Sequence, residues 1–203
     1  MIAFIGDVHR SFDRLAALVA ALPIEATAVV QVGDLGLRPS DVANRVPAIQ
    51  PPNRRVLYID GNHDHNPWYQ GLDAPTEMGP NLIFVPRGSV LELDGRRVAF
   101  LGGGDSVIDR AQRKEGVDWW PTEQVTAIDV ARLREARKVD ILVTHTPPAP
   151  LYPCFGLRPD ASSREVERVW EMLGRPPTVC GHLHRARALG RVRVLAELEV
   201  FFL

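Results

Sequence analysis

At 203 residues, with a formal net charge of −1, 45% hydrophobic and 24% charged residues, the chain reads as a soluble globular protein with one core, expected as a single domain over 1–203. The near-neutral balance gives no global pull towards duplex nucleic acid or anionic membranes, local basic patches aside, and no apolar run approaches the roughly 18 residues of a membrane span, so strong duplex binding and membrane partners are not expected. A first strand at Ile2 leaves no room for a leader, and two cysteines, Cys154 and Cys180, make no disulfide framework, so a reducing cytoplasm is the expected location.

The first strand is expected over Ile2 to Ile5. A helix from Ser11 to about Leu22 follows, capped by Ser11, ended by Pro23 and carrying Phe12, Leu15, Leu18 and Leu22 near helical spacing. Apolar runs bounded by turn residues then give strands at Ala28 to Val32, Arg55 to Ile59, Leu82 to Val85, Val90 to Leu93 and Arg97 to Leu101. A helix is expected from Thr122 to about Arg137 and a strand at Ile141 to Val143. The Pro-rich stretch 146–150 reads as a loop walling a site. A further helix follows Ser162, with Glu165 completing a capping-box pattern and Val166, Val169, Trp170 and Leu173 on its apolar face. Strands at Thr178 to Cys180, Ala186 to Leu189, Val192 to Leu195 and Leu198 to Phe202 close the chain. Helices alternating with early strands favour parallel pairing, and the close successions 82–101 and 186–202 favour hairpins, so an α/β fold with a mixed sheet or two stacked sheets is expected.

Chemistry concentrates at strand ends. Asp7 and His9, Gly33-Asp34, Gly61-Asn62-His63-Asp64, Thr144-His145-Thr146 and Gly181-His182-Leu183-His184 each follow a strand, which can deliver distant segments to one edge. Five of the six histidines lie in these motifs, which makes coincidence remote. Imidazole, carboxylate and amide donors without thiolate suit Mn, Fe, Zn or Ni better than a calcium site or a structural zinc.

The order of these motifs resembles the calcineurin-like metallophosphoesterases over nearly the whole chain. The resemblance implies a four-layer sandwich, two mixed β-sheets flanked by α-helices. It implies two divalent or trivalent ions, Mn foremost, with Asp7, His9 and His184 at one, Asn62, His145 and His182 at the other, and Asp34 bridging. Two such ions activate a bridging hydroxide for in-line attack on phosphorus, so no protein nucleophile is needed. His63 resembles the family's catalytic histidine, a general acid or charge stabiliser.

Other residues carry plainer readings. Asp64 is expected to organise its loop, Cys180 to be a buried thiol, and Trp119 and Trp120 to pack at a helix entry. Gly102-Gly103-Gly104 reads as a tight turn, and with Asp105, Ser106, Asp109 and Arg110 it resembles a site-lining segment of small bacterial and phage-encoded members. Arg185, Arg187, Arg191 and Arg193 read as a solvated hairpin, with a basic rim as the alternative. Arg10, Arg110 and His65 are the candidate substrate contacts.

The family's protein phosphatases extend the second motif to supply an aspartate partner for the catalytic histidine and a phosphate-binding arginine. Here the chain reads Gly33-Asp34-Leu35-Gly36-Leu37-Arg38-Pro39, which lacks that aspartate, leaves the partner of His63 open and argues against a protein phosphatase. With few arginine clamps, a diester monoanion is the better substrate, a nucleotide or short oligonucleotide end. A phosphomonoesterase is the second reading, and a non-catalytic metal-binding scaffold is the reading of another class. Oligomeric state is left open.

Overall fold

A computed structural model describes residues 1–42, 54–79, 81–136 and 138–203. Among these, twelve strands form two six-stranded mixed sheets. The first contains β1 (Ile2–Ile5), β2 (Ala28–Gln31), β3 (Val56–Tyr58), β4 (Thr76–Gly79), β5 (Leu82–Phe84) and β12 (Val200–Phe202), in the order β12-β1-β2-β3-β5-β4. The second contains β6 (Val90–Leu93), β7 (Arg96–Leu101), β8 (Ile141–Thr144), β9 (Thr178–Cys180), β10 (Arg187–Leu189) and β11 (Val192–Val194), in the order β10-β11-β9-β8-β7-β6. Pairing is parallel inside each sheet and antiparallel at both ends. No helix among the described residues is long and apolar enough to cross a membrane.

The alternation of side chains along each strand explains the layering. Ala3 and Ile5 of β1 face outward with Val29, Val56 and Tyr58 under α1 (Phe12–Ala21), which contributes Phe12, Leu15 and Val19. Ile2 and Phe4 face inward with Val30 and Leu57 against Val98, Phe100, Ile141 and Val143 of the other sheet. On the far side, Ala99, Leu101 and Leu142 pack under α3 (Ala127–Arg132) and α4 (Ala161–Met172) through Val130, Val166 and Val169. Burial on both faces is why these strands read as continuous apolar runs. A one-turn helix, α2 (Pro39–Val42), and strand β4 carry no such run, and the sequence reading lacks both.

Helix ends differ from expectation for identifiable reasons. Ser11 precedes α1 without a side-chain cap bond, Leu18 is only half-buried, and Val19 takes the buried position. Asp160, not Ser162, caps α4: its Oδ1 accepts from Ser163 N at 2.7 Å, and Ser163 Oγ accepts from Asp160 N at 2.9 Å. Ser162 is used elsewhere, its Oγ accepting from Val125 N, while Glu165 pairs with Arg168. The helix expected from Thr122 is a 3-10 turn at Pro121–Glu123 followed by the short α3, and its expected end at Arg137 lies outside the described residues. Arg87 binds the carbonyls of Thr122, Glu123 and Gln124, oxygens that a continuous helix would need for its own ladder. At the other end of the chain, Leu198 adopts a left-handed backbone with its N–H on Asp7 O, which delays the last strand to Val200.

Arg87 is largely covered, with 11% of its side chain exposed, and also pairs with Asp60 at 2.5 Å, tying the end of β3 to the turn before α3. Arg87→Met is expected to destabilise the protein by about 3–5 kcal/mol, because it strands the buried Asp60 carboxylate. Urea unfolding followed by circular dichroism measures this, and a loss below about 1 kcal/mol would refute it.

Candidate metal centre

Five of the parallel-paired strands deliver the motifs to one common region. β1 leads to Asp7 and His9, β2 to Asp34, β3 to Asn62 and His63, β8 to His145, and β9 to His182 and His184. His9, Asp34, His182 and His184 all have left-handed backbones, with φ of 46°, 56°, 69° and 53°. Such strain, of order 1–3 kcal/mol per residue, persists only where the surrounding structure enforces it and is common at functional sites. Two glycines make the approach possible: a Cβ on Gly181 would collide with Asp7 Oδ1, and one on Gly61 with Asp34 Oδ1.

The donors fall into two groups that share Asp34. In the first, ligand atoms of Asp7, His9, Asp34 and His184 all lie within 4.8 Å of one another. His184 Nε2 is 3.0 Å from Asp7 Oδ2 and 3.0 Å from His9 Nε2, and His9 Nε2 is 3.8 Å from Asp34 Oδ2. In the second, Asn62 Oδ1 lies 3.1 Å from His145 Nε2 and 2.9 Å from His182 Nδ1, with His145 Nε2 3.4 Å from Asp34 Oδ2. The inner donors Asp7, Asp34, Asn62 and His145 are buried, whereas His9, His63 and His184 face the opening.

Hydrogen bonds behind the donors aim them. His145 Nδ1 lies 3.0 Å from Val32 O, and His184 Nδ1 lies 3.2 Å from Glu197 Oε1, so each ring turns its Nε2 to the centre. Asn62 Nδ2 donates to Ser106 Oγ at 3.2 Å, which directs Oδ1 inward. Ser106 is in turn held by Glu123, which accepts from its N at 2.7 Å and its Oγ at 3.0 Å, and Arg113 donates both to Ser106 Oγ and to Asn62 O. Asp64 accepts from the N–H groups of Asp34, Gly36 and Gly61 at 2.9, 2.6 and 2.7 Å, the loop-organising position expected of it.

The arrangement fits metal ions on two counts. Asp34 Oδ2 is buried without a hydrogen-bond partner, which a protein tolerates where an ion completes its shell. Burial alone would raise the Asp34 carboxyl, yet the charge of His145 and the other imidazoles holds it well below the usual range. Burial likewise disfavours charge on His145, but Asp34 outweighs it and lifts the imidazole to about 10. The carboxylates thus favour a cation here, a role open to a proton or to a metal ion.

His63 stands beside both groups. Its N–H donates to Asp34 Oδ1 at 2.7 Å, its ring meets His9 edge-on, and its Nε2 lies 3.4 Å from Asp109 Oδ2. Burial, the largest influence, pulls the His63 imidazole below its ordinary value; Arg113 adds to this, and Asp34 and Asp109 oppose it. Asp109 is thus a carboxylate set beside the His63 ring by a segment remote from the second motif. The triple glycine explains how its segment gets there: Gly103 needs a φ of 92°, while a Cβ on Gly102 or Gly104 would crowd Asp60 or Thr146.

The three substrate-contact candidates are engaged elsewhere. Arg10 forms a bidentate pair with Asp41 at 2.8 and 2.9 Å. Arg110 lies 3.6 Å over the Trp119 ring, and His65 packs against Trp120 with a buried, unbonded Nδ1. Of the four hairpin arginines, Arg185 lines the central cavity, Arg187 reaches Cys154 O, and Arg193 pairs with Glu199. Residues 149–155 form a 3-10 helix whose Tyr152 and Phe155 wall that cavity, and Cys180 is a buried thiol. Arg113 is the residue the sequence reading lacks, and an arginine inside a polar loop carries no local signal of its target.

A family model described as calcineurin-like phosphoesterase matches residues 1–186. A search of curated proteins finds no match.

Proposed function

The chain belongs to the calcineurin-like phosphoesterase family, metal-dependent hydrolases of phosphate esters, and we propose that it is a dinuclear phosphodiesterase acting on nucleotides or short oligonucleotide ends. The observation that carries this reading is the pair of donor groups joined by the otherwise unbonded Asp34 Oδ2. Asp7, His9 and His184 would hold one ion, Asn62, His145 and His182 the other, with Asp34 between them and Mn the ion expected first over Fe, Zn or Ni. Bound ions would supply an activated water at neutral pH and neutralise the phosphoryl oxygens. His63 protonates the leaving oxygen, and Asp109 holds its ring in the productive orientation.

The scarcity of arginine clamps beside the donors supports a diester monoanion. Arg10 is tied to Asp41 and Arg113 to the back of Asn62, so neither is free to take the second charge of a monoester. The free thiols suit a reducing cytoplasm.

The test is hydrolysis of bis-p-nitrophenyl phosphate against p-nitrophenyl phosphate by protein stripped of metal and reloaded with Mn. A kcat/KM ratio of about 10 or more for the diester is expected, on the order of one lost charge-assisted bond. A preference for the monoester would overturn the diester reading and make the chain a phosphomonoesterase.

A further inference from the structure

Beyond the donors, the cavity that contains them extends to about 650 Å3, within the range of sites for nucleotide-sized ligands. One of its walls is the turn of Val107 and Ile108, exposed to 65% and 82%, on the segment that also carries Asp109. Phe155 and Leu157 line the cavity as well, with Leu183 from between His182 and His184. Arg158 and Arg185 also line the cavity, and neither makes a hydrogen bond or ion pair among the described residues.

We propose that this extension is a slot for the planar base of a nucleoside phosphate, which rests on reading the metal centre as a phosphodiesterase site. Two exposed aliphatic side chains at the mouth of a cavity gain most when a flat apolar face covers them. Ser106, Asp160 and the two arginines also border the space. A heteroaromatic ring offers apolar faces and a polar edge, which matches this lining. An alkyl chain would desolvate the same polar groups without bonding them. The free guanidiniums suit the face of the ring.

Calorimetric titration of the Mn-loaded protein with adenosine 5′-monophosphate, ribose 5-phosphate and dodecyl phosphate tests the slot, since ribose 5-phosphate carries a hydroxyl where the nucleotide carries the base. The nucleotide is expected to bind about 10-fold or more tighter than ribose 5-phosphate. Ile108→Asp and Leu157→Asp should each bring that ratio to within about twofold of one, and Ile24→Ser, outside the cavity, should leave it unchanged. Equal affinities in the wild type, or tighter binding of dodecyl phosphate than of the nucleotide, would overturn the base slot. Turnover of bis-p-nitrophenyl phosphate is read separately: its absence beside an intact nucleotide preference would sink the diesterase reading and support the slot alone.

Discussion

Replacing Asp34 by Asn is expected to lower turnover of either nitrophenyl ester by about 10³-fold or more and to leave fewer than two ions per chain. Asparagine has the same shape and keeps the oxygen that accepts from His63 N, so the loop can retain its path. What it removes is the charge shared by both donor groups, together with Oδ2, the atom 3.4 Å from His145 Nε2 and 3.8 Å from His9 Nε2. Metal content by plasma mass spectrometry and a circular dichroism spectrum separate lost ions from lost fold. Activity within tenfold of wild type with two ions retained would remove Asp34 from the bridging position.

The second large effect is expected at His63. His63→Ala should lower kcat by about 10²–10⁴-fold, the usual contribution of a general acid, while the metal content stays near two because the Asn62 and Asp34 side chains remain. The loss should be smaller for nitrophenolate, which leaves readily without a proton, than for a diester with an alkoxide leaving group. Asp109→Asn should cost about tenfold in the wild-type background and have almost no effect when His63 is already alanine. A structural role for Asp109 would give the same loss in both backgrounds, and that outcome would refute the 3.4 Å pair as a working dyad.

The two effects differ in how visible their residues are in the sequence. Asp34 and His63 sit in short motifs in which a glycine, an acid and a histidine follow an apolar run, and that grouping is legible without coordinates. Asp109 sits seven residues after Gly102 in a segment with no periodicity, which a resemblance suggests as site-lining but only the path of the chain brings to His63. Arg10, a loop arginine named as a candidate substrate contact, is held by Asp41, and only the placement of the short α2 reveals that pair. The helix expected from Thr122 fails in the same way, because local propensity was outweighed by Arg87, which arrives from the segment between β5 and β6 to take the carbonyls.

The strand-ends that carry the donors, the family they resemble and the class of chemistry can all be read from residue order, because each of those signals is local: an apolar run, a glycine turn and a polar side chain within a few residues. Tertiary structure decided which donors share a group, what faces His63, which arginines are free and where the apolar slot lies. Those depend on the crossing of chain segments 175 residues apart and more, as between His9 and His184, and a contact of that range is fixed by the packing of two sheets rather than by any neighbour in sequence.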